Sequence, residues 1–78
     1  MTKDEIYAKL VEIIKDIKGD IEVSPETALI EGGIMDSLEL LNYLTQIEEI
    51  LNVNVGMDTL IESKLGIVGN MVNYISNN

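Results

Sequence analysis

The chain has 78 residues, a formal net charge of −9, and neither cysteine nor histidine. That length suits one small domain spanning 1–78, and the missing residues exclude disulfides, thiol redox chemistry and the commonest metal ligand and general base. An apolar content of 46% argues for a folded globule, and the acidity argues against binding nucleic acid or anionic lipid.

Thr2-Lys3-Asp4-Glu5 has the form of a capping box, in which Thr2 caps and Glu5 reaches back. Ile6, Leu10, Ile13, Ile14 and Ile17 follow at the spacing of one buried helical face. Lys15 and Lys18 suit the negative end of a helix, and Gly19 suits its stop. A first helix is therefore predicted over Lys3–Lys18.

Asp20 to Met35 contains the sole proline, Pro25, the glycines Gly32 and Gly33, and little periodicity. It reads as a long loop with one short turn after Ser24-Pro25, pinned to the core by Ile21, Val23, Leu29 and Ile30. So long a loop in so small a domain is often functional.

A second helix is predicted over Ser37–Leu51. Asp36 is its N-cap, Glu39 stands three positions on, Met35 can staple onto Leu40, and Asn52 supplies the stop. Val53 to Gly56 reads as extended. Asp58 is expected to cap a short third helix over Thr59–Ser63. A last helix is expected over Ile67–Ile75, weakly capped at Gly66, burying Val68, Met71, Val72 and Ile75. The fold class is thus all-α, a small four-helix bundle with a long loop between the first two helices and a short third helix.

At 100° per residue, Leu40, Leu44, Ile47 and Leu51 share one side of the second helix, flanked by Tyr43 and Ile50. Leu38 and Leu41 fall elsewhere, beside Thr45, Glu48 and Glu49, with Ser37 at the same end. Leucines ringed by carboxylates suggest a protein-docking surface. The plainer reading makes Leu41 the edge of a broad core stripe and Leu38 a lone surface leucine.

The charge is uneven. The first 18 residues balance four lysines against four acids, and beyond Gly19 the one lysine is Lys64. Such a surface attracts basic protein partners, although acidity also serves plain solubility. No apolar run reaches the roughly 18 residues of a membrane span, and the N-terminus lacks the apolar segment of a signal peptide. A cytoplasmic monomer without membrane insertion is the expectation.

Ser37 is poorly equipped as a nucleophile: no histidine exists to activate it, nothing ties Lys64 to it, and no G-x-S-x-G elbow surrounds it. Gly32-Gly33 lacks the G-K-[ST] of a phosphate loop, and the acids form no calcium-binding array. Helix capping alone would explain Asp36-Ser37 as an isolated pair. A hydroxyl at a helix start, where amides and the helix dipole favour an anion, points instead to a serine that is acted upon and carries a phosphate ester.

Over nearly its whole length the chain resembles an acyl carrier protein. The likeness rests on Asp36-Ser37-Leu38 at the head of the second helix, the acidic Glu48-Glu49 turn, the helix order, and Val68-Gly69-Asn70-Met71-Val72-Asn73-Tyr74-Ile75 as the final helix. The resemblance implies that the protein is no enzyme. It implies that Ser37 takes a 4′-phosphopantetheine arm from coenzyme A through a separate, Mg²⁺-dependent phosphopantetheinyl transferase, and that the arm's thiol then holds an acyl or aminoacyl group as a thioester. It further implies that Asp36, Leu38, Glu39, Leu41, Glu48 and Glu49 meet acyl-loading and acyl-processing enzymes with basic surfaces. Asn42 and Leu51 stand where many fatty-acid carriers have glutamate and phenylalanine, and Gly33-Ile34-Met35-Asp36-Ser37 is closer to D-alanyl and specialised carriers. These departures favour a discrete carrier of a dedicated pathway, with fatty-acid or polyketide synthesis open and an aminoacyl carrier as the alternative. An acidic helical adaptor bearing no arm is the other alternative, and a small hydrolase is disfavoured by the absent histidine.

Overall fold

Both capping boxes expected from the sequence are formed in the computed structural model, which describes residues 1–77. At α1 (Lys3–Lys18), the Glu5 amide donates to Thr2 Oγ1 at 3.2 Å and the Thr2 amide to Glu5 Oε1 at 2.7 Å. Gly19 ends the helix at φ +83° with its amide on the Lys15 carbonyl at 2.8 Å. This is a backbone conformation that glycine adopts without the clash a Cβ would bring. At α2 (Ser37–Leu51), Asn52 terminates the helix in the left-handed region, φ 59°, as asparagine tolerates.

The two later helices begin elsewhere than the sequence suggested. The short helix α3 is Met57–Glu62, not Thr59–Ser63, and its N-cap is Gly56; Asp58 lies inside the first turn. The final helix α4 is Val68–Ser76, not Ile67–Ile75, and its N-cap is Ile67 instead of Gly66. Neither N-cap makes a side-chain hydrogen bond. At α4 the donors are satisfied from across the molecule: the Val68 amide donates to the Thr27 carbonyl at 3.0 Å and the Gly69 amide to Pro25 at 2.8 Å. The Leu29 amide returns a bond to the Gly66 carbonyl at 2.9 Å, and Ala28 and Ile67 form an isolated antiparallel bridge. No longer strand forms among the described residues.

The core is one apolar cluster. It draws Ile6, Leu10, Ile13 and Ile14 from α1, Leu40, Tyr43, Leu44 and Ile47 from α2, Leu60 from α3, and Val68, Met71, Val72 and Ile75 from α4. The closest helix pairings are α1 with α4 and α1 with α2. Ile17 and Leu51, expected inside, are half-buried, while Tyr43, expected at the flank, is wholly enclosed. Of the four loop residues expected to pin the loop, Leu29 is fully buried, and Ile21, Val23 and Ile30 are half-buried against the cluster. The Tyr7 hydroxyl adds a polar anchor, donating to the Val23 carbonyl at 3.1 Å.

Candidate functional site

The loop delivers Ser37 through a tight turn. Gly32 donates to the Ala28 carbonyl at 2.9 Å, Gly33 to Ile30 at 3.0 Å, and Ile34 and Met35 both to Leu29 at 3.1 Å. Glycine is required at 32 by close approach, because a Cβ there would stand 2.5 Å from the Ala28 carbonyl oxygen. It is favoured at 33 by a positive φ of 66°. Leu29 and Met35 are buried, so both ends of the turn are tied to the core, and the chain leaves it straight into Asp36.

Capping of α2 belongs to Asp36 and Glu39. The Glu39 amide donates to Asp36 Oδ1 at 2.8 Å, and the Asp36 amide to Glu39 Oε1 at 3.0 Å. Ser37 is the first helical residue and is exposed, and among the described residues its hydroxyl is held by no hydrogen bond. Capping therefore leaves the hydroxyl available. The first-turn amides of Ser37 and Leu38 have no carbonyl one turn back, as at any helix start, and their positive ends favour an anion at this place.

The other serines are in less suitable places. Ser24 Oγ lies 3.4 Å from Thr27 Oγ1, Ser63 is the C-cap of α3, and Ser76 is the last residue of α4. Helix C-termini carry the negative end of the dipole and disfavour an attached phosphate. Among the described residues, Ser37 is the one serine at a helix start.

Beside it the apolar surface is real. Leu38 is 77% exposed and Leu41 50%, so neither is the edge of the core stripe. Ile61 on α3 is likewise exposed. Glu48 and Glu49 are exposed on the last turns of α2, and Thr45 turns its hydroxyl inward onto the Leu41 carbonyl at 2.8 Å. Glu39 differs from the other expected contact residues. Besides its capping role it accepts Lys18 Nζ at 2.9 Å, and its side chain is only 29% exposed. The Asp36 amide first, and Lys18 second, hold its carboxyl below the usual glutamate range. The sequence does not reveal this partner: the helix dipole alone accounts for both lysines, Lys15 and Lys18, in the last turn of α1.

No family model matches the chain, and no solved structure matches it. Curated relatives do. The meromycolate extension acyl carrier protein of Mycolicibacterium smegmatis is 34% identical over 76 residues, covering 95% of this chain and 75% of the relative. Its counterparts in Mycobacterium leprae and Mycobacterium tuberculosis are each 31% identical over 77 residues, covering 96% of this chain and 65% of theirs. The chain belongs to the acyl carrier protein family. Accordingly it is a carrier and not a catalyst, which agrees with a serine lacking any activating base. An all-α bundle of four helices is the fold expected of such a carrier, and among the described residues no helix is long and apolar enough to cross a membrane.

Proposed function

We propose that the carrier bears a 4′-phosphopantetheine arm on Ser37 and presents acyl thioesters to enzymes that dock through basic surfaces on α2. The observation that carries this reading is the division of labour at the helix start. Asp36 and Glu39 cap the helix, and Ser37 is left exposed and unengaged. In loading, Ser37 Oγ forms a bond to the phosphorus that carries the pantetheine chain of coenzyme A. The phosphoanhydride bond breaks, 3′,5′-ADP leaves, and the serine proton passes to a base of the transferase. The residues fit the group: its phosphodiester anion would lie against the open first-turn amides of α2, which offset the repulsion of the surrounding carboxylates. When bound, the arm supplies a terminal thiol that holds the acyl group.

Leu38 and Leu41 would fill apolar hollows on the partner, and Asp36, Glu48 and Glu49 would meet its arginines and lysines. Fast, weak, steered docking suits a protein that visits several enzymes. Glu39, engaged by Lys18, would act mainly by holding the helix start in shape. The relatives' names point to acyl extension, and this favours a fatty-acid-type cargo over D-alanyl or aminoacyl cargo. Enzymes of that kind, with a cytoplasmic transferase, are the partners this reading requires.

Intact mass after incubation with coenzyme A and a phosphopantetheinyl transferase tests it. The wild type gains one arm and Ser37→Ala gains none. An unchanged wild-type mass would leave the adaptor reading in its place.

A further inference from the structure

Tyr43 is fully buried, and its hydroxyl oxygen has no hydrogen-bond partner. No polar or charged residue shares the core with it among the described residues. An enclosed hydroxyl without a partner destabilises the fold, and phenylalanine would fill the same space without that cost. The phenol is protonated at neutral pH, and burial pushes its pKa further up, so the hydroxyl holds a proton with no acceptor.

We propose that the Tyr43 hydroxyl is an internal recognition point for the tethered acyl group, donating a hydrogen bond to one of its oxygens. The inference rests on Ser37 as the tether point. Tyr43 follows Ser37 on the same helix by six positions, about 9 Å along its axis. It stands on the inner face with Leu40, Leu44 and Ile47. An acyl chain in water gains with every methylene it buries, and the apolar core nearest its tether lies beneath this face. The way in assigned by this proposal is at α3. That helix has six residues, no side-chain cap and one buried residue, Leu60, and it shares neither of the close helix pairings. Among the buried core residues, a chain entering there meets one hydroxyl, that of Tyr43, whose O–H can donate to a carbonyl oxygen. The acceptor is either the thioester carbonyl or an oxygen further along the chain.

The test compares wild type and Tyr43→Phe in four forms: unmodified, carrying the free-thiol arm, loaded with a saturated acyl chain, and loaded with a 3-oxo chain of equal length. Mass spectrometry verifies each form, and melting temperature is the readout. Unmodified Tyr43→Phe should melt at or above wild type. Acyl loading should raise the wild-type melting temperature by about 4–8 °C more than it raises that of Tyr43→Phe, the size expected of one hydrogen bond in a domain this small. An extra rise with both cargoes assigns the carbonyl, and a rise with the 3-oxo chain alone assigns the chain oxygen. Equal increments in the two proteins, or a marked fall for unmodified Tyr43→Phe, would overturn the proposal, the latter by showing the hydroxyl already satisfied by water. Failure of Ser37 to accept the arm would appear in the mass and would overturn the tether reading itself, and this inference with it.

Discussion

Lys18 Nζ lies 2.9 Å from Glu39 Oε2, so the last turn of α1 grips the first turn of α2 beside Ser37. The same glutamate receives the Asp36 amide through its other oxygen. One side chain thus closes the cap and joins two helices. Lys18→Met should lower the melting temperature modestly in dilute buffer, and the difference should shrink in high salt, as it does for a partly exposed pair. A salt titration of both melting curves checks this; an identical difference at every salt concentration would mean that the contact is one of packing alone.

The starts of α1 and α2 should also weaken in acid. Glu39 and Glu5 both have carboxyls held below the ordinary glutamate value of 4.5, Glu39 mainly by the Asp36 amide and Glu5 mainly by the Thr2 amide. The unfolded chain binds those protons more readily. Their stabilisation is therefore complete above 4.5 and is lost as pH falls through the lowered folded values. Melting followed from neutral to acid pH should show a shallower decline for Glu39→Gln than for wild type. At neutral pH, Asp36→Ala should cost about 0.5–2 kcal/mol, the usual loss for an N-cap.

Gly32→Ala should damage both stability and loading. The new methyl group would meet the Ala28 carbonyl oxygen at 2.5 Å, a backbone atom that cannot step aside cheaply. A loss of about 1–3 kcal/mol is expected for such overpacking. Chemical denaturation measures the first effect, and the rate of arm transfer measures the second. Wild-type values for both would show that the turn does not position Ser37.

The docking face should separate function from stability. Leu38→Gln and Leu41→Gln should change stability by no more than about 0.5 kcal/mol, since both side chains are exposed. Leu10→Ala, by contrast, should cost about 2–5 kcal/mol. The leucine pair, and Glu48→Lys with Glu49→Lys, should slow arm or acyl loading at low salt while the fold stays intact. Circular dichroism alongside loading rates decides the matter, and unchanged rates would remove this face from the account.

The first two helices were legible to the residue because their signals are local. Thr2 with Glu5, and Asp36 with Glu39, each cap within four consecutive positions, and Gly19 and Asn52 mark the stops. The starts of α3 and α4 were misplaced because no side chain caps them. The amides of Val68 and Gly69 are satisfied by carbonyls of the long loop, a pairing that exists only after the chain has folded back. The same distinction runs through the site. The exposure of Ser37, Leu38 and Leu41 followed from a helical wheel, whereas the Lys18–Glu39 pair and the enclosed Tyr43 hydroxyl depend on how helices meet.

The central claim is best tested by locating the arm. The chain has serines at 24, 37, 63 and 76, and any of them could in principle be esterified. Fragmentation mass spectrometry of protein treated with coenzyme A and transferase should place the whole added mass on the peptide containing Ser37. Mass found on Ser24, Ser63 or Ser76, or on no serine at all, would contradict the account.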